Sequence, residues 1–222
     1  MNIALIILAA GKGTRMQSEL PKVLHEVAGV PMLVHAMRAG RALDPKRTII
    51  IAGHGFEAVS AAARAEDPEV EVVRQEAQLG TGHAVDQARA ALSDFDGTVI
   101  VLYGDCPLIQ SRTLEELCAT LSDSAVSVLG FEAKDPARYG RLITDGDKLK
   151  RIVEFKDASP AERAVSLCNG GVMAASAGLL FDLLSEIDAN NASGELYLTD
   201  VIGKAVARGL PCTAVRCAER ET

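Results

Sequence analysis

Hydrophobic positions along this 222-residue chain fall into short continuous runs, separated by stretches with helical spacing. Residues 3–8 form an unbroken apolar run, the pattern of a strand covered on both faces. A glycine-rich loop follows, and 31–42 predicts a helix with Pro31 in its first turn. Strands are expected at 48–52, 70–73, 98–103 and 125–131. Helices are expected at 55–64, 82–92 and 111–121, the last with Ser111 as its N-cap. This β-α alternation predicts an α/β fold, a Rossmann-like, doubly wound and mostly parallel sheet.

The rhythm changes after about residue 132. Residues 141–144 and 148–154 flank Asp145-Gly146-Asp147 and predict a hairpin. A strand at 167–175, helices at 177–186 and 195–208 and a last strand at 212–215 complete the pattern. The expected organisation is one domain over 1–222, with a first lobe at 1–131 and a smaller lobe at 132–222 that closes over the substrate. There is no long linker, low-complexity stretch or internal repeat.

Composition narrows the partners. The net charge of −7 argues against a nucleic acid backbone as ligand and requires any anion to be held locally. No stretch approaches the roughly 20 apolar residues of a membrane helix, so no membrane partner is expected. The first apolar run has no basic region before it and reads as a strand, not a signal peptide. Five cysteines with no C-x-x-C pair argue against a disulfide framework and for a reducing, cytoplasmic location. Cys106 has no activating His or Lys adjacent in sequence and is expected to be inert.

Candidate chemistry gathers at a few segments. Leu8-Ala9-Ala10-Gly11-Lys12-Gly13-Thr14-Arg15-Met16 carries a strand into a loop of small residues with two cations. Small residues let backbone N–H groups approach an anion. The order fits neither G-x-x-x-x-G-K-[ST] nor G-x-G-x-x-G. Lys22, after Pro21 and among apolar neighbours, adds a third cation suited to phosphate. Gln75, in Gln75-Glu76-Ala77-Gln78-Leu79-Gly80-Thr81-Gly82-His83, offers an amide with both donor and acceptor. His83 opens a predicted helix, where capping or packing competes with catalysis. Asp105 follows Tyr103 and Gly104 at the carboxyl end of a strand, where open α/β sheets bind ligands, and a carboxylate there suits a hard cation.

The strings L-x-A-G-x-G-T-R-M and L-P-K resemble the signature of the sugar nucleotidylyltransferase family. The longer match, through His25 and on along the chain, resembles the N-terminal half of the bacterial bifunctional N-acetylglucosamine-1-phosphate uridylyltransferases/glucosamine-1-phosphate acetyltransferases. The resemblance implies a nucleotide-diphospho-sugar transferase fold. It further implies transfer of a uridylyl group from UTP to N-acetylglucosamine 1-phosphate, giving UDP-N-acetylglucosamine and pyrophosphate for peptidoglycan and lipopolysaccharide precursors. By it, Arg15 and Lys22 are catalytic. Leu8, Ala9, Ala10, Gly11, Lys12, Gly13, Gln75, Gln78, Gly80 and Thr81 bind the nucleotide. Tyr103, Gly104, Gly140, Glu154, Asn169, Tyr197 and Thr199 bind the sugar, and Asp105 binds Mg²⁺. Glu195 and Asp200 stand equally well as carboxylates at a helix start.

Two departures accompany the match. Asn169-Gly170-Gly171 stands where the family has Asn-Thr-Gly. The chain ends at Thr222, where the family continues into a G-V-N-x-R segment whose asparagine is a second metal ligand, and then into a β-helix. The expectation is a fragment of the bifunctional enzyme, monomeric by itself and trimeric if the β-helix follows. Two other readings stay open: a nucleotidylyltransferase of different base or sugar, and a nucleotide-sugar-binding fragment with little turnover.

Overall fold

The computed structural model describes residues 2–222 except Lys12, Thr14, Arg15 and Asp147. In chain order its main elements are β1 (Ile3–Ala9), β2 (Glu26–Val27), β3 (Val30–Pro31), α1 (Met32–Arg41), β4 (Arg47–Ala52), α2 (Phe56–Glu66), β5 (Glu71–Arg74), α3 (Thr81–Asp86), β6 (Thr98–Tyr103), α4 (Ser111–Ala119), β7 (Val126–Glu132), β8 (Arg141–Asp145), β9 (Lys148–Val153), α5 (Pro160–Arg163), β10 (Leu167–Ser176), α6 (Ala177–Leu184), α7 (Asp200–Ala207) and β11 (Cys212–Cys217).

Nine strands form one sheet in the order β5-β4-β1-β6-β10-β7-β11-β9-β8. Pairing is parallel from β5 to β6. Beyond β6 the sheet is mixed. β10 lies antiparallel to both β6 and β7, and β11 runs parallel to β7. The parallel pairings read from β-α alternation thus gather on one side of the sheet, with β11–β7 as a further parallel pair on the other. On the other side β10 and the β8–β9 hairpin, both from the second half of the chain, add antiparallel pairings. The sheet is continuous across residue 131, with β10 inserted between β6 and β7.

β1 shows why the sheet is buried on both faces. Ala4, Ile6 and Leu8 join the core that also holds Leu180, Leu183 and Ile202 of α6 and α7. Ile3, Leu5 and Ile7 join the core under α1, α2 and α4, with Leu33, Val59 and Leu114. Each fully buried Leu or Ile side chain contributes roughly 1.5–3 kcal/mol, so β1 is a rigid base for the loop after it.

Three local expectations are corrected. Gln110, not Ser111, is the N-cap of α4, and the Ser111 hydroxyl donates to Ala39 O (3.0 Å), tying α4 to α1. The helix expected over 82–92 ends at Asp86, because the next turns tighten into i→i−3 bonds such as Arg89 N to Asp86 O (3.0 Å). The helix expected from 195 starts at Asp200. Two residues of the expected first turns are drawn into tertiary bonds instead: Leu196 N donates to Leu79 O (2.8 Å) and Leu198 N to Thr81 Oγ1 (2.9 Å). Among the described residues no helix is long and apolar enough to cross a membrane.

Candidate active site

The carboxyl ends of β1 and β6 lie side by side, with Leu8 opposite Tyr103. A cavity of about 370 Å³ opens there. Its wall includes every described nucleotide-binding residue expected from the sequence: Leu8, Ala9, Ala10, Gly11, Gly13, Gln75, Gln78, Gly80 and Thr81. Lys22, Tyr103 and Asp105 line it as well. Arg15 and Lys12 lie outside the described residues. Val23, Ala84 and Glu195 complete the wall. The first two read as ordinary apolar positions. Glu195 reads as a helix-start carboxylate, and only the fold brings it here.

The loop that delivers Lys22 is anchored on both sides. Val23 and Leu24 are buried in the core. Pro21 packs on Gly55, whose backbone is left-handed (φ 65°) and where an added Cβ would meet the proline ring at 2.3 Å. Lys22 Nζ then reaches Asp105 Oδ2 at 2.6 Å, across the sheet edge. Both side chains keep about a third of their exposure (36% and 28%), so the pair sits at the cavity mouth and is open to ligand. Gln78 Nε2 donates to Ala10 O (2.8 Å), binding the loop after β1 to the 75–81 segment.

Gln75 is almost fully buried, and its Nε2 contacts Gly80 O (3.2 Å) and His83 Nδ1 (2.9 Å). Gly80 has φ 116° and ψ 177°, and an added Cβ would lie 2.5 Å from Leu196 O. Only glycine fits that close crossing.

A second cavity of about 310 Å³ is lined by Glu154, Tyr197 and Thr199, together with Arg151, Asp157 and Asp200. The Thr199 hydroxyl donates to Glu154 Oε1 (3.1 Å). Burial raises the Glu154 carboxyl above the usual carboxylate range, against the opposing pull of that hydroxyl. Asp200 is raised by burial and then by Asp188. Gly140 stands beside Glu154, where an added Cβ would be 3.4 Å from both carboxylate oxygens. Asn169 N donates to Gly140 O (2.9 Å), and Asn169 Oδ1 accepts from Gly171 N (3.1 Å). Gly140 and Asn169 therefore flank Glu154 without lining either cavity.

Tyr103 lines the first cavity and feels the charge of Glu154, which lines the second. Its ring rests on Gly171, where a Cβ would lie 3.0 Å from Tyr103 Cδ2. Burial, and then the charge of Glu154, push its hydroxyl pKa up, so it stays a neutral donor. Gly104 lies behind the cavity wall. It is buried, its N–H donates to Leu8 O (2.9 Å), and a Cβ there would crowd Leu33 and Val23.

For a metal, Asp105 is the carboxylate at the mouth. Among the described residues no group of three or more His, Cys, Asp or Glu is arranged to hold a metal ion by itself. One carboxylate suits a hard cation that takes its other ligands from phosphates and water. Such a cation would share Asp105 with Lys22, whose ammonium then has phosphate oxygens as partners.

A glycine-containing loop, a lysine–carboxylate pair and two glutamine amides thus share one cavity at the sheet edge, next to a second polar cavity. The chain belongs to the MobA-like NTP transferase domain family, whose model matches residues 5–181, and it is a nucleotidyltransferase domain. It is 60% identical over 222 residues to a protein of Ruegeria pomeroyi named Bifunctional protein GlmU, covering 100% of this chain and 49% of that protein. A protein of the same name from Paracoccus denitrificans is 54% identical over 220 residues, covering 99% and 49%. The chain thus spans about half the length of these relatives. Solved structures of the same fold include apo-UDP-glucose pyrophosphorylase (TM-score 0.79, 17% identity, 97% of this chain and 90% of that one). The inositol-1-phosphate CTP transferase from T. maritima is another (TM-score 0.76, 15% identity, 97% and 86%).

Proposed function

We propose that this domain transfers the uridylyl group of UTP to N-acetylglucosamine 1-phosphate, releasing pyrophosphate and supplying UDP-N-acetylglucosamine for cell-envelope precursors. The observation that carries this reading is the gathering of Leu8–Gly11, Gly13, Lys22, Asp105 and the residues Gln75 and Gln78 on one cavity wall, with Tyr103 on that wall under the charge of Glu154, which lines the second cavity with Thr199. Amides and glycine backbone suit the alternating donors and acceptors of a uracil edge. Glu154, Asn169 and Thr199 suit sugar hydroxyl and N-acetyl groups. The relatives named Bifunctional protein GlmU, similar along this whole chain, support the same assignment.

In this mechanism the sugar phosphate oxygen attacks the α-phosphorus in line with the departing pyrophosphate. That oxygen is already ionised, so no general base is needed. The work left to the protein is positioning and offsetting charge. Loop amides of Ala9, Ala10, Gly11 and Gly13 hold the triphosphate, and Lys22 neutralises charge on the phosphates, a role the resemblance also gives to Arg15. Mg²⁺, held by Asp105, would polarise the phosphate oxygens. The Tyr103 hydroxyl and Glu154 orient the sugar.

The test is pyrophosphate release from a panel of the four ribonucleoside triphosphates against N-acetylglucosamine, glucosamine and glucose 1-phosphates. UTP with N-acetylglucosamine 1-phosphate is expected to give the highest kcat/KM. Equal or better turnover with CTP or with glucose 1-phosphate would refute the assignment.

A further inference from the structure

His83 has no part in the chemistry above, yet it is tied to the residue assigned to the base. Gln75 Nε2 lies between two groups, Gly80 O at 3.2 Å and His83 Nδ1 at 2.9 Å. A backbone carbonyl only accepts, so the half of the amide facing Gly80 is the NH₂. The remaining atom, Gln75 Oε1, has no partner among the described residues and belongs to a residue that lines the cavity. A glutamine amide turned by 180° occupies the same space but presents the opposite chemistry. What holds the amide in one orientation therefore decides what the cavity can read.

A neutral imidazole accepts at one nitrogen only. Amide NH₂ groups face both ring nitrogens: Gln75 Nε2 lies 2.9 Å from Nδ1, and Gln87 Nε2, which also donates to His83 O (3.1 Å), lies 3.2 Å from Nε2. The shorter contact points to Nδ1 as the acceptor. Uracil carries an N3–H donor, whereas the N3 of cytosine is an acceptor. We propose that His83 is a positioning residue for base selection: by accepting from Gln75 Nε2 it keeps Gln75 Oε1 toward the cavity, where it takes an N3–H donor and rejects cytosine. This rests on the uridylyl reading above.

Titration calorimetry of UTP and CTP on the native protein, His83→Leu and His83→Asn tests it, with melting temperatures as a check on folding. Losing one neutral hydrogen bond corresponds to about a tenfold factor. His83→Leu is expected to lower the UTP:CTP affinity ratio by about tenfold, while sugar phosphate affinity stays within twofold. His83→Asn, which can again offer an acceptor oxygen to Gln75, is expected to restore most of the ratio. An unchanged ratio in His83→Leu would overturn the proposal. So would ¹⁵N chemical shifts of the native protein that place the His83 proton on Nδ1, a result that needs no variant to fold. A native protein with no preference for UTP over CTP would instead remove the uridylyl reading itself, and the proposal with it.

Discussion

Replacing Gly80 by alanine tests the join between the nucleotide and sugar sides of the site. At φ 116° and ψ 177° the Gly80 backbone occupies a region that L-residues enter at a cost of about 1–3 kcal/mol. The new Cβ would also lie 2.5 Å from Leu196 O and 2.8 Å from Leu196 N. Both are backbone atoms, so the two segments must separate. The bonds at risk are Leu196 N to Leu79 O and Gly82 N to Leu196 O, each 2.8 Å. At about 1 kcal/mol per hydrogen bond, strain and lost bonds together come to about 3–5 kcal/mol. For a domain of this size each kcal/mol shifts Tm by about 2–4 °C, so Gly80→Ala should melt about 10 °C lower. Because 195–199 carries Glu195, Tyr197 and Thr199, KM for the sugar phosphate should also rise, along with KM for the nucleotide. Thermal unfolding followed by circular dichroism, with steady-state kinetics below the transition, measures both effects. A variant that melts within about 2 °C of the native protein with both KM values unchanged would refute the close crossing at Leu196.

Three further outcomes are expected. Lys22→Ala should lower turnover by orders of magnitude while unfolding stability changes by less than about 1 kcal/mol, since its pair with Asp105 is partly exposed; near-native turnover would remove Lys22 from the phosphate site. Burial raises the Glu154 carboxyl, so folding favours its protonated form and its charge destabilises the fold as pH rises through and beyond the ordinary carboxylate range. Glu154→Gln should therefore gain in Tm over the native protein with increasing pH, and the gap should close in acid; a gap that widens in acid would contradict this. The Cys106 thiol is pushed up to about 12 by burial and by neighbouring Asp105, so iodoacetamide at pH 8 should label it only on unfolding, and rapid labelling of the native protein would disprove that environment.

Much of this protein follows from local pattern. The run at β1 is apolar at every position because both faces of that strand are covered, and its ends were readable to within a residue. The span of β6 was readable outright, because Asp105 and the glycine before it mark where the continuous apolar run stops. Small residues after β1 and a lysine after a proline mark candidate phosphate contacts by type and spacing, whereas the paired amides around glycines read as base contacts through the family resemblance. Those signals are carried within a dozen residues of chain, so they survive without any knowledge of the fold.

What tertiary structure decided were the long-range choices. No local pattern says that β10 inserts antiparallel between β6 and β7, because strand order depends on which edges find partners after collapse. The start of α7 was misplaced for a similar reason: the donors of Leu196 and Leu198 are taken by the 79–81 segment, and a backbone N–H can satisfy one such geometry at a time. The Lys22–Asp105 pair, the seating of Tyr103 on Gly171 and the clasp of His83 on Gln75 join residues through packing that no residue carries alone. The sequence by itself thus determined which chemical groups this protein owns. The tertiary structure decided which of them face the same cavity and in which orientation, because that depends on contacts between segments far apart in the chain.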